Sequence, residues 1–147
     1  MNFVIACGGT GGHIYPGIAA AERLRARFPG CGILFVGSQG NMETELVPRE
    51  GWDIRTIRAY SFHRSVKPAD IWHNVRGVIG NVAAIGRSRI IINEYKPSCV
   101  IGTGGYVCYP VLRAAASLGV PTVIHESNAG PGLTTRLLEP YVDKILI

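Results

Sequence analysis

Four glycines around a single threonine, Gly8–Gly9–Thr10–Gly11–Gly12, constrain this chain more than any other stretch. The residues before them, Asn2 to Cys7, are mostly apolar and read as a buried strand. After them, Ile18 to Phe28 places Ala19, Ala20, Ala21, Leu24 and Phe28 at helical spacing. The glycines therefore stand between the C-terminal end of a strand and the N-terminal end of a helix. Glycine tolerates positive φ and lets the backbone approach another group closely. Free N–H groups and the positive end of the helix dipole converge there. The ligand such a turn favours is an anion, most often a phosphate or pyrophosphate.

The spacing excludes two familiar phosphate loops. A Walker loop needs Lys after its last glycine, and Ile18 follows Gly17. The dinucleotide fingerprint needs glycines at relative positions one, three and six; Gly9 and Gly11 supply two, but Ile14 occupies the third. The acid expected after the second strand is also missing, because that strand ends in Gly37–Ser38–Gln39. A nicotinamide enzyme is disfavoured. A purely structural βα turn needs one or two glycines, not four. His13 lies at the mouth of the turn, where a neutral imidazole near a substrate acts as a general base. A histidine that only hydrogen-bonds the turn is the alternative.

Strand and helix patterns alternate along the rest of the chain. Gly32–Gly37 reads as a strand, and Asn41–Glu50 as a short helix capped by Asn41 with Glu43 and Glu45 in its first turn. Ile54–Ile57 is a third strand, and Arg58–Pro68 a loop. Asp70–Tyr95 is the longest helix pattern, with Ile71, Val75, Val78, Ile79, Val82 and Ile85 in register, Trp72 beside them, and Gly77, Gly80 and Gly86 against it. Then come strand Ser98–Ile101, a second glycine turn Gly102–Thr103–Gly104–Gly105–Tyr106, helix Tyr109–Leu118, strand Val120–His125, helix Leu133–Glu139 and strand Lys144–Ile147. This alternation predicts an α/β fold, a Rossmann-like parallel sheet with helices on both faces. Ligands of such sheets bind beyond the C-terminal strand ends. Gly8–His13, Gly102–Tyr106 and His125–Glu126–Ser127–Asn128 should then share one rim. A capped helix start is the plainer reading of the last group.

The 147 residues suit one domain with a sizeable core. Mean hydropathy is +0.20, yet no apolar run reaches the roughly 18 residues of a membrane span. Met1 leads straight into the first strand with no basic leader, so a cytoplasmic location is expected. Cys7, Cys31, Cys99 and Cys108 lack C-x-x-C spacing, which argues against zinc or a disulfide framework; Cys7 and Cys99 read as buried thiols. Eight of the 15 Lys and Arg lie from Arg55 to Lys96, where only Asp70 and Glu94 oppose them. Such a patch prefers anionic surfaces. Nucleic acid is the weaker option, because Tyr60, Phe62 and Trp72 form no stacking motif. The chain ends inside an apolar strand, the pattern of a domain cut from a longer protein or completed by a partner.

Three stretches in order, Gly8–Gly9–Thr10–Gly11–Gly12–His13–Ile14–Tyr15–Pro16, Gly102–Thr103–Gly104–Gly105–Tyr106–Val107, and His125–Glu126–Ser127–Asn128 with Pro131–Gly132–Leu133–Thr134, resemble the MurG family of bacterial glycosyltransferases. The resemblance covers the whole chain. It implies the N-terminal half of a GT-B fold: residues 1–147 as the acceptor-binding Rossmann-like domain, with the C-terminal donor-binding domain absent. It implies N-acetylglucosaminyl transfer from UDP-GlcNAc to undecaprenyl-pyrophosphoryl-MurNAc-pentapeptide, giving lipid II, with no cofactor and no metal. By resemblance, Gly11, Gly12, Gly104, Gly105 and Tyr106 hold the acceptor pyrophosphate, and Thr10, Gly11, Gly12 and Asn128 contact the donor. His13 is the base of an inverting displacement, with Glu126 supporting or replacing it. Peripheral docking on the cytoplasmic face of the plasma membrane is implied too, through Ile71, Trp72, Val75 and Ile79 edged by Arg64, Lys67 and Arg76. Val78, Val82 and Ile85 are then expected to face inward. A different class stays open: a non-catalytic, membrane-anchoring subunit of a split GT-B enzyme.

Overall fold

The computed structural model describes residues 1–61 and 68–147, and of residues 68–76 and 78 the backbone alone. The strands are β1 (Asn2–Ala6), β2 (Gly32–Ser38), β3 (Asp53–Ile57), β4 (Cys99–Gly102), β5 (Thr122–His125) and β6 (Lys144–Leu146). The helices are α1 (Gly11–Arg27), α2 (Glu43–Arg49), α3 (Pro68–Tyr95), α4 (Cys108–Ser117) and α5 (Leu133–Leu138). All strands run parallel in the order β3-β2-β1-β4-β5-β6.

The central strands β1 and β2 are apolar on both faces, and alternate residues serve opposite layers. Phe3, Ile5 and Cys7 of β1 and its extension, with Ile33 and Phe35 of β2, pack under Ile14, Ile18 and Ala21 of α1 and Val47 of α2. Val4, Ala6, Leu34 and Val36 face the other way. There they meet Ala84, Ile91 and Ile92 of α3, Leu112 and Ala115 of α4, and Leu138 of α5. This is the doubly covered sheet that the alternating pattern predicts.

Three local expectations are corrected. Helix α1 starts at Gly11, inside the glycine turn, rather than at Ile18. Gly11, Gly12 and His13 are thus its first turn. Pro16 removes one N–H whose partner would be the carbonyl of Gly12 at the exposed helix end, so the helix runs through it. Asn41 does not cap α2: Met42 is the cap residue and no side chain caps the helix. Instead the Asn41 carbonyl accepts bonds from the N–H and hydroxyl of Thr44 at 3.0 and 2.6 Å. Val82 does not face inward; it is 65% exposed, and Ile79 is 68% exposed. The buried face of α3 runs through Asn81, Ala84, Ser88, Ile91 and Ile92, while Ile85 is half-buried against that core. Small and polar residues win the inner positions because α3 lies close against α4 and the loop before it. Asn81 pairs with both backbone groups of Tyr60 at 3.3 and 3.1 Å, and the Ser88 hydroxyl bonds back to the Ala84 carbonyl at 2.8 Å. The side chains of Ile71, Trp72, Val75, Arg76 and Val78, together with Arg64 and Lys67, lie outside the described residues.

Strand register places the site. Ala6 pairs with Gly102, and Gly102 with Ile124. The chain therefore leaves β1, β4 and β5 at one level, on three adjacent strands. The sheet order reverses between β1 and β4, the point where open α/β sheets leave a crevice.

Candidate functional site

The two glycine turns touch. Gly104 and Gly105 hold φ of +120° and +87°, and Gly9 holds +90°. A Cβ at Gly105 would collide with the carbonyl of Gly8, and one at Gly104 with the His13 ring. Only glycine permits both this backbone and this contact. Side chains then lock the pair. The Thr103 hydroxyl donates to the His13 carbonyl at 2.7 Å, and the Cys108 thiol faces the carbonyls of Ala6 and Gly104 at 3.2 and 3.1 Å. Burial pushes the Cys108 thiol up to about 12 and raises that of Cys7 as well, so neither is a nucleophile at neutral pH.

Most of the turn amides stay free. The N–H groups of His13 and Ile14 bond to the Thr10 carbonyl at 3.0 and 3.1 Å. Those of Gly11, Gly12, Gly104 and Gly105 have no partner among the described residues. Gly9 is the exception. Its N–H donates to the carboxylate of Glu43 at 3.0 Å, and the Ser38 N–H to the other oxygen at 2.8 Å. Glu43 reads in the sequence as a favourable charge in a helix first turn. In the fold it is fully buried beneath the first glycine turn.

His13 stands where the turns meet. Its Nδ1 lies 3.2 Å from the Gly8 carbonyl and 3.4 Å from the Thr10 hydroxyl. A carbonyl can only accept, so in neutral histidine Nδ1 carries the proton and Nε2 keeps its lone pair. A cavity of about 240 Å³ opens beside it. Its walls include His13, Tyr60, Gly104, Tyr106, Glu126 and Asn128. Sequence reasoning missed Tyr60 as a wall residue. It reaches the cavity because Gly80 of α3 has no side chain to block its ring.

Glu126 is organised differently from a base. One oxygen accepts from the N–H and side-chain amide of Asn128 at 3.0 and 2.7 Å; the other accepts from the Gly132 N–H and Thr135 hydroxyl at 2.8 and 2.7 Å. Burial alone would raise its pKa, but these four donors outweigh burial and bring it down to about 2. The carboxylate shapes the 126–135 loop and aims Asn128, whose amide oxygen remains to accept from a ligand. Neighbouring His125 buries its Nδ1 with no partner among the described residues.

Tyr106 joins the second turn to α2: the Asn41 side-chain amide donates to its phenol oxygen at 2.6 Å. The structure thus brings together His13, Thr10, Gly11, Gly12, Gly104, Gly105, Tyr106, Glu126 and Asn128 on one rim. It does not bring Ile79 there; that residue lies on the exposed face of α3. Among the described residues, three basic residues of the 55–96 stretch are engaged at the surface: Arg55 with Glu94 at 2.6 Å, Arg58 with Gln39 at 3.1 Å and Arg89 with Ser117 at 2.8 Å. Among the described residues no helix is long and apolar enough to cross a membrane, and no group of three or more His, Cys, Asp or Glu could hold a metal.

Comparison with known proteins agrees with this fold. A relative from Halalkalibacterium halodurans, named UDP-N-acetylglucosamine–N-acetylmuramyl-(pentapeptide) pyrophosphoryl-undecaprenol N-acetylglucosamine transferase, is 45% identical over all 147 residues. The Bacillus subtilis protein of the same name is 40% identical over the same span. The chain covers 39% of the length of each. The crystal structure of Acinetobacter baumannii MurG superposes with a TM-score of 0.76 at 27% identity, over 98% of this chain and 40% of that one. The parallel sheet is that of the N-terminal half of a GT-B glycosyltransferase. The model of the glycosyltransferase family 28 N-terminal domain matches residues 3–147, and the chain belongs to that family.

Proposed function

We propose that this chain binds the pyrophosphate of a lipid-linked sugar and forms the acceptor half of an inverting N-acetylglucosaminyltransferase. That enzyme moves GlcNAc from UDP-GlcNAc to undecaprenyl-pyrophosphoryl-MurNAc-pentapeptide. One observation carries the reading: the amides of Gly11, Gly12, Gly104 and Gly105, unpartnered among the described residues, stand at the same strand-end rim as His13, and Gly104, Gly105 and His13 line a cavity there. A diphosphate takes hydrogen bonds from such amides, and the N-terminus of 17-residue α1 adds its dipole.

His13 Nε2 takes the proton of the acceptor hydroxyl. The hydroxyl oxygen then bonds to the anomeric carbon as the bond from that carbon to the diphosphate of UDP breaks, inverting the centre. Charge developing on the departing diphosphate is met by Thr10, Gly11 and Gly12 at the helix start. Asn128 contacts the donor through its free amide oxygen, and Glu126 positions Asn128. The reading calls on no cofactor and no metal. Most donor contacts come from a second domain, in keeping with the greater length of the relatives. The chain works at the cytoplasmic face of the membrane, docked through the first half of α3.

A short-chain, soluble analogue of the lipid-pyrophosphoryl-sugar acceptor tests this by calorimetry. The 147-residue chain should bind it, and Gly104→Ala should weaken binding by about tenfold or more, since a Cβ there displaces His13 and strains a positive φ. The chain alone should show negligible transfer. Unchanged affinity in the variant, or robust turnover by the isolated chain, would overturn the assignment.

A further inference from the structure

We propose that the β2–α2 junction is the positioning device of the diphosphate site, with Glu43 holding the first glycine turn and Asn41 the second. This rests on the diphosphate reading above and adds residues that the turns themselves do not contain. A loop of four glycines has many backbone states of similar energy, so its amides converge on one point only if something else fixes them. Glu43 supplies that restraint. Its carboxylate bridges the N–H groups of Gly9 and Ser38 and is completely buried. The space for it exists because Gly8 and Gly37 lack side chains; a Cβ on either would fall on Glu43. With the Gly9 N–H tied inward at φ +90°, the free N–H groups of Gly11 and Gly12 are left to the ligand. The anchor is rigid because Val47, one helical turn on in α2, is wholly buried in the core.

Asn41, two residues earlier, acts on the other turn. Its amide donates to the Tyr106 phenol oxygen at 2.6 Å. That leaves the phenol proton to donate into the cavity that Tyr106 lines. One short segment therefore sets the spacing between two turns that are about a hundred residues apart in sequence and meet only in the fold.

The test is a ¹⁵N–¹H titration of the 147-residue chain with inorganic pyrophosphate. In the wild-type chain the amides of Gly11, Gly12, Gly104 and Gly105 should shift. Glu43→Gln should move the Gly9 resonance upfield before any ligand is added and weaken pyrophosphate about tenfold, the effect of losing one charge-assisted hydrogen bond. Asn41→Ala should reduce the response of Gly105 and Tyr106. The double variant Asn41→Ala with Tyr106→Phe should bind no more weakly than Tyr106→Phe alone. Should Glu43→Gln lose its dispersed spectrum, Glu43→Asp and the Asn41 pair decide the matter. Wild-type resonances that ignore pyrophosphate would sink the diphosphate reading and this inference with it. A wild type that responds, beside Glu43 and Asn41 variants that bind equally well, would sink the positioning role alone.

Discussion

His13 and Glu126 both carry ionisable side chains at the same rim, yet their surroundings prepare them for opposite tasks. His13 has one nitrogen fixed by a carbonyl and the other available, so His13→Gln should lower kcat by about 10²- to 10⁴-fold. The assay is acceptor-dependent transfer by this chain joined to the donor domain of a relative, with acceptor affinity measured alongside; an unchanged kcat would remove the base role. Glu126 spends both oxygens on four donors. Its folded pKa of about 2 lies below the ordinary 4.5, so its contribution to stability is full above pH 4.5 and is lost as pH falls towards 2. Glu126→Gln replaces one acceptor by an amide that faces two donors and should cost about 2–3 kcal/mol at neutral pH. Thermal melts should show that the gap between variant and wild type closes between pH 4.5 and 2. The sequence alone marked both residues as chemically loaded. It could not divide their roles, because the division depends on Asn128, Gly132 and Thr135 folding back around one carboxylate and leaving the other residue open.

At the level of elements, the long helix α3 departs most from its pattern. Periodicity identified the helix but assigned Val82 to the wrong side. A stripe of six apolar residues in 28 positions does not by itself say which way it turns, and here the hydrogen bonds of buried Asn81 to Tyr60 decide the rotation. Ile79 and Val82 are consequently displayed together, about one turn apart. The double variant Ile79→Glu and Val82→Glu should abolish sedimentation with vesicles of anionic phospholipid while leaving the melting temperature nearly unchanged, because neither side chain is packed. Unchanged binding after Lys67→Glu with Arg76→Glu would count against the electrostatic part of the same docking. Helix α2 teaches a related lesson. The sequence placed a short helix at Asn41–Glu50, where the fold has Glu43–Arg49, but read Glu43 as a first-turn charge where the fold has an inward anchor. The clue available was the pair Gly8, just past the first strand pattern, and Gly37, the last residue of the second, which leaves room for a side chain from elsewhere.

Across the whole molecule, the contact of Gly105 with Gly8 joins the β1 and β4 halves of the site. Gly105→Ala should cost about 2 kcal/mol or more, from a positive φ and a collision with backbone that cannot move aside. It should also weaken binding at Gly11 and Gly12, which a purely local strain would not. A chemical-denaturation curve and a pyrophosphate titration of the same variant check both parts.

The amino-acid sequence by itself determined the alternation of strands and helices, the parallel sheet and the identity of the two glycine turns. Each of these is written in short-range patterns: period-two and period-3.6 hydrophobicity, and glycines where a strand gives way to a helix. The tertiary structure alone decided that the turns touch, that Glu43 and Asn41 brace them, and that Val82 faces out. Those outcomes depend on strand order and on side chains that meet across dozens of residues, where spacing along the chain carries no information about distance in space.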